Sequence, residues 1–246
     1  MDLKNYIPLT DKYLPKTFDE CSHAHKTNNI LKSFTDIKMG IPNIILYGSN
    51  GSGKYLRLLL LLKNCLGHFS NPFNTIVKTI DTVTGSFVPL PTSKNKEKNK
   101  VLYATVSKIH CEIELSQSGS DKGLINFLKY YLKNKNILLG IHKYIILKNF
   151  EYLKRETQNS LRFIVEKSFK SIKFLVTTNS LSKIIEPLRS RFISLHVKSP
   201  TELEAMTIIK NLIKNEKYSL TNNRINKLIE SSKEKCNLIN LNELIL

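Results

Sequence analysis

Short apolar, β-branched runs alternate along this chain with segments of helical period. Asn43-Ile44-Ile45-Leu46-Tyr47 is continuously apolar after its first residue and breaks at Gly48, which predicts a buried parallel strand entering a glycine loop. From Lys54 to Leu66 apolar residues cover nearly every face, as in a helix packed between a sheet and other helices. Strand patterns follow over Thr75 to Ser86, Val101 to Val106 and His110 to Leu115. Gly123 to Leu132 and Arg155 to Lys167 read as helices, and Tyr144 to Leu147 and Ile172 to Thr177 as buried strands. This alternation predicts an α/β domain with a doubly wound parallel sheet between helices. Beyond Pro200 only helical patterns remain, Thr201 to Asn215 and Asn222 to Ser232. The reading divides the chain into an α/β domain over 1–197 and a small helical lid over 198–246.

At 246 residues and 41% apolar composition, the chain suffices for one such domain with a helical appendage. Lys and Arg number 38 against 20 Asp and Glu, a net charge of +18 that calls for a polyanionic partner, nucleic acid first among them. The competing explanation is an AT-rich genome that simply enriches solvated lysine. Thr92 to Lys100, with four lysines against Glu97, reads as an exposed loop. Cys21, Cys65, Cys111 and Cys236 lack the paired spacing of a zinc or dithiol site, and His23 and His25 have no cluster to complete one, so no metal site is expected. The longest apolar run, Leu58 to Leu62, is far too short to cross a bilayer, and no cleavable signal opens the chain. A soluble, intracellular protein with no membrane partner is expected.

Gly48-Ser49-Asn50-Gly51-Ser52-Gly53-Lys54 matches the phosphate-binding loop through its lysine, in the required strand-to-helix context. Glycines let backbone N–H groups curl round a phosphate, the helix N-terminus adds positive potential, and the lysine reaches the outer phosphates. Nucleotide contacts are therefore expected from Gly48, Asn50, Gly51, Ser52, Gly53, Lys54 and Tyr55. Position 55 normally supplies a Ser or Thr hydroxyl to magnesium, and tyrosine cannot replace it. After Ile145-Ile146-Leu147 the pattern asks for Asp and Glu to hold magnesium and activate water; this chain has Lys148-Asn149. A lysine there repels a divalent cation. ATP or ADP is expected to bind weakly and without magnesium, with Lys54 and Lys148 supplying charge. Glu151 is the one nearby acid, assigned to the start of the following helix, where acidic residues suit the dipole.

The order of motifs resembles a small subunit of replication factor C, the AAA+ sliding-clamp loader. Asp11-Lys12-Tyr13-Leu14-Pro15-Lys16-Thr17-Phe18-Asp19-Glu20 resembles the family's opening motif, with Leu14 where an arginine is usual. Leu153 to Arg162 resembles the helix after the acidic motif. Thr177-Thr178-Asn179-Ser180 resembles the sensor strand end, which implies that Asn179 faces the γ-phosphate. Ile184-Ile185-Glu186-Pro187-Leu188-Arg189-Ser190-Arg191-Phe192 is similar to the Ser-Arg-Cys box, with Phe192 for cysteine, and implies that Arg191 is an arginine finger acting on a neighbour's ATP. The lost hydroxyl and acids, with Val106 to Glu114, look most like the non-hydrolysing end subunit of the pentamer, the fifth small subunit of yeast and its human counterpart. The second-sensor arginine is replaced by Ile239, and the chain stops at Leu246, before the family's C-terminal collar.

The resemblance implies a role in DNA replication and repair with other loader subunits, a sliding clamp and primer-template DNA, in the nucleus if the chain is cellular. It also suggests Lys122, near the start of a helix, as a DNA-backbone contact that positions without reading sequence. Two alternatives stand beside it. One is a self-sufficient ATPase using Lys54 with unorthodox acids; the other is a basic DNA-binding protein whose loop is a relic.

Overall fold

The computed structural model describes residues 12–36, 41–66, 76–88, 101–107, 110–116, 121–133, 143–169 and 171–216. Helix α1 is His25–Ser33, followed by β1 Ile44–Tyr47, α2 Lys54–Leu66, β2 Ile76–Asp81, β3 Phe87–Val88, β4 Val101–Val106 and β5 His110–Glu114. Then come α3 Asp121–Lys133, β6 Lys143–Lys148, α4 Arg155–Ser168, β7 Ile172–Thr178, the single turn α5 Glu186–Arg189, β8 Ile193–His196 and α6 Glu202–Glu216. One eight-stranded sheet runs in the order β3-β2-β4-β5-β6-β7-β1-β8. From β5 to β8 every pairing is parallel, as the strand–helix alternation predicts. The other wing departs from a purely parallel sheet, since β4 pairs antiparallel with both β5 and β2, and β2 with β3. Pairing direction is set between segments far apart in the chain, so periodicity within each run carries no sign of it.

Two apolar layers enclose the sheet. On one face Ile145, Leu147, Phe174 and Val176 meet Leu124, Phe127 and Leu128 of α3 and Leu161, Ile164 and Val165 of α4. On the other, Ile44, Leu46, Ile146 and Leu175 meet Leu31 of α1 and Leu58 to Leu62 of α2. The period-2 alternation of buried strands sorts these residues between faces. All five leucines of the α2 run are at most 9% exposed, and each contributes roughly 2 kcal/mol by burial. Among the described residues no helix is long and apolar enough to cross a membrane. Helix α6 matches the first helix predicted after Pro200. The second, Asn222 to Ser232, lies outside the described residues, as do the Thr92 to Lys100 loop, Cys236 and Ile239.

Parallel strands β5, β6, β7 and β1 all end at the same edge, where open α/β sheets place their ligands. The glycine loop leaves β1 there and is seated against the chain that follows β8: Val197 N–H donates to the Tyr47 carbonyl at 2.8 Å. A Cβ added at Gly48, whose φ is +151°, would lie 2.2 Å from the Val197 carbonyl oxygen. Because that obstacle is backbone, it has no rotamer by which to move aside. Gly48→Ala should therefore cost at least about 2 kcal/mol, read as a lower denaturant midpoint at unchanged slope. A midpoint equal to that of the wild type would show the seat to be yielding.

Candidate functional site

A cleft of about 430 Å³ opens at this edge, lined by Asn50, Gly51, Gly53, Lys54 and Tyr55 of the loop and helix start, with Glu114, Lys148, Asn149 and Thr177 from the strand ends. Gly51 and Gly53 take φ of +73° and +78°, conformations that favour glycine and let the loop curl. Lys54 is 7% exposed and its ammonium is fully engaged. It donates to the carbonyls of Gly48 and Ser49, both at 2.7 Å, and to Asn179 Oδ1 at 3.1 Å. Burial lowers its pKa, and the Glu151 carboxylate works the other way. Ser52 is buried within the loop.

The position that a metal-binding hydroxyl would occupy is turned to another use. Tyr55 Oη donates to Glu112 Oε2 at 2.6 Å, and the Lys148 ammonium approaches the same oxygen at 3.4 Å while lying 4.6 Å from the centroid of the Tyr55 ring. Glu112 is 3% exposed on β5. Its other oxygen accepts from His110 Nε2 at 3.0 Å, and Ser107 Oγ engages His110 Nδ1 at 2.6 Å. Burial alone would raise the Glu112 pKa. Hydrogen bonds from His110 and Tyr55, with the Lys148 charge, outweigh it and hold the carboxyl below its ordinary value. Tyr55 moves the opposite way, its phenol pushed well up by burial and by donation to Glu112. Lys148 and Tyr55, named from the sequence as losses, thus form one cluster around an acid that the loop motif does not predict. Its signal was the polar set His110, Glu112 and Glu114 at period 2 in an otherwise apolar strand.

Glu151 does not open helix α4. It lies in a separate 3-10 turn, Phe150–Tyr152, and its carboxylate accepts from Asn179 Nδ2 at 2.6 Å, Asn179 N at 3.1 Å and Thr178 Oγ1 at 3.0 Å. Asn179 therefore bridges an acid and an ammonium, which fixes its amide orientation: Nδ2 can only donate to the carboxylate and Oδ1 only accept from Lys54. The chain can turn so tightly because Asn149 adopts the left-handed region at φ +55°, with its Nδ2 donating to Glu114 at 2.7 Å. Asn179 and the loop are thus joined through Lys54.

Two residues singled out earlier lie away from the cleft lining. Arg191 is exposed just before β8, ion-paired with Glu166 of α4 and donating to the Pro187 carbonyl. Lys122 is exposed in the first turn of α3, beside a second cleft of about 330 Å³ that it lines with Asp121, Asn126, Lys129 and Glu156. Cys21, Cys65 and Cys111 are free thiols, and burial raises the Cys111 pKa strongly.

Removing the Glu112 charge leaves Lys148 facing no anion at that oxygen, so Glu112→Gln should cost about 3 kcal/mol at neutral pH. The sign of its pH dependence follows from the depressed folded pKa. Stability from the carboxylate is present above the unfolded value of about 4.3 and is lost as pH falls through the lower folded value. Urea unfolding of wild type and Glu112→Gln should give a constant gap from about pH 5 to 7, closing below about pH 4. A gap that persists undiminished in acid would mean the charge is not what stabilises.

No family model matches the chain. It is 29% identical over 209 residues to replication factor C subunit 5 of Saccharomyces cerevisiae, spanning 81% of this chain and 56% of that protein. Replication factor C subunit 5 of Oryza sativa is 29% identical over 205 residues, with 81% and 55% coverage. The chain thus spans little more than half the length of these curated relatives. Among solved structures, a RuvB variant from Thermotoga maritima matches with a TM-score of 0.55 at 13% identity, covering 84% of this chain and 56% of that one. The AAA domain of FIGL-1, solved in complex with ADP, matches with a TM-score of 0.51 at 15% identity, covering 85% and 64%. At such identities the structures show the fold alone, a sheet of mostly parallel strands between helices with a glycine loop after its strand, shared with these AAA-type domains. In sequence, the chain is similar to replication factor C subunits over about four fifths of its own length.

Proposed function

We propose that this chain is a subunit of a DNA sliding-clamp loader that does not hydrolyse nucleotide itself and presents Arg191 to nucleotide held by a neighbouring subunit. The observation that carries the reading is the Tyr55–Glu112–Lys148 cluster. A divalent ion at the loop needs oxygen ligands with free lone pairs. Here a phenol and an ammonium converge on one oxygen of the buried Glu112 carboxylate, and Glu114, the acid in the cleft lining, takes Asn149 Nδ2 at 2.7 Å and Ser116 Oγ at 2.8 Å on its Oε1 while lying in register with the cationic Lys148 of the next strand. With a phenol at position 55 and an ammonium at the end of β6, these residues do not fit magnesium.

The cleft volume suits a nucleotide, and a nucleoside di- or triphosphate would be held by the loop amides, Lys54 and Lys148 without metal. Binding is weak because the Lys54 ammonium has to leave carbonyl and amide partners to meet phosphate. Its kinship with replication factor C subunits supports partners of that kind: other loader subunits, the clamp and primer-template DNA, in the nucleus of a cell that has one. Arg191 is suited to act in trans, since the guanidinium now holds a carboxylate, and a phosphate presents the same paired oxygens. Lys122, exposed at the head of α3, is placed to meet a DNA phosphate.

The test is turnover in a reconstituted loader with clamp and DNA. Arg191→Ala should lower partner ATPase at least about 10-fold, less than the 10³ to 10⁵ known for arginine fingers because other sites continue to fire. By itself the chain should show no magnesium-dependent turnover above Lys54→Ala, and its ADP affinity should agree in magnesium and in EDTA to within about twofold. Intrinsic hydrolysis by the chain alone would overturn the reading. In DNA binding, Lys122→Ala should reduce the salt slope by about 1, whereas an unchanged slope removes Lys122 from the interface.

A further inference from the structure

Arg57, in the first turn of α2, is 1% exposed, the largest side chain of the fully buried set. It faces away from the cleft, on the underside of the loop. Nε donates to Asn28 Oδ1 at 2.8 Å, Nη2 to the His23 carbonyl at 2.8 Å, and Nη1 to the carbonyls of Ser52 at 3.0 Å and Gly53 at 3.2 Å. Among the described residues no carboxylate pairs with it. His23 adds a second clasp on the same loop, its Nε2 donating to the Ser52 carbonyl at 3.0 Å; since that oxygen can only accept, Nε2 carries the proton. Asn28 in turn donates Nδ2 to the His23 carbonyl at 3.2 Å.

A guanidinium buried without a counter-charge is costly unless its donors are met by acceptors in fixed geometry. Four acceptors on two separate segments engage four of its five N–H donors. They also point the carbonyls of Ser52 and Gly53 downward, and a peptide whose carbonyl points down directs the next N–H upward. Those next N–H groups belong to Gly53 and Lys54, on the phosphate side of the loop. The surrounding side chains leave little slack: a Cβ on Gly53 would sit 2.7 Å from Arg57 Nη1.

We infer that Arg57 is a positioning residue for the phosphate loop, holding its donor amides in the anion-binding orientation and coupling them to the segment that carries His23 and Asn28. The inference rests on the reading of the cleft as a nucleotide site, and it concerns phosphate rather than base. Loop order and N-terminal order are then linked, so a change at Asn28, behind the loop, is felt at the phosphate.

The test uses the full chain, with ADP and inorganic pyrophosphate as probes in titration calorimetry and hydrogen exchange at residues 50–54. Arg57→Met should weaken both probes by about 10-fold or more in the folded fraction and speed loop exchange without ligand. Arg57→Lys should recover part of the affinity. Asn28→Ala, a milder change that keeps the guanidinium, should weaken both probes by a smaller factor of about 3. If Arg57→Met and Asn28→Ala lower the melting temperature while leaving probe affinity and loop exchange as in wild type, the guanidinium is packing alone and the inference falls. It falls equally if ADP weakens but pyrophosphate does not, which would place Arg57's effect at the base. Failure of the wild type to bind either probe would overturn it too, and would leave the Arg191 reading to be decided separately by partner turnover.

Discussion

Glu112 is a carboxylate withdrawn from water on a central strand, and a carboxylate so placed has to be met by donors and by positive charge. Here both come from within the chain, through the Lys148 ammonium, the Tyr55 phenol and His110 Nε2. The residues at positions 55 and 148 that depart from the loop motif's usual pattern are thus the ones that hold Glu112 in the cleft wall.

The same logic governs the rest of the edge. Lys54 is satisfied by its own loop and by Asn179, Asn179 is held by Glu151, and the loop's underside is clasped by Arg57 and His23. Each charged group is matched by nearby dipoles or an opposite charge contributed by a different strand end or helix start. Parallel strands make this convergence natural, because β5, β6, β7 and β1 deliver their C-terminal residues to one line. Arg191 stands apart from this internal matching. Its partner Glu166 is a surface residue on α4, and the pair is exposed to solvent.

Much of the fold was legible in local pattern. Helix α2 has the bounds its apolar run predicts, and the buried strands β1, β6 and β7 fall within a residue or two of their expected limits. Elements that sequence pattern missed share a physical cause. Helix α1 is largely polar, with His25, Lys26, Asn28 and Asn29 among its residues, and β8 is a four-residue edge strand whose side chains are only partly covered. Neither carries enough apolar periodicity to stand out, and both are held by contacts with distant partners: β8 by β1, and α1 by the Leu31 contact with the α2 side of the core. The antiparallel wing escaped for the related reason that strand direction is a relation between segments.

What the sequence determined alone is the local chemistry: a glycine loop on a strand–helix joint, a tyrosine where a hydroxyl was needed, and a lysine where an acid was needed. Residue type and near-neighbour spacing suffice for those. Tertiary structure decided what the substitutions accomplish, since Lys148 meets Glu112 from 36 residues away and Arg57 reaches Asn28 across 29. Electrostatic compensation depends on separation in space, and that separation is fixed by strand order and helix packing rather than by position along the chain.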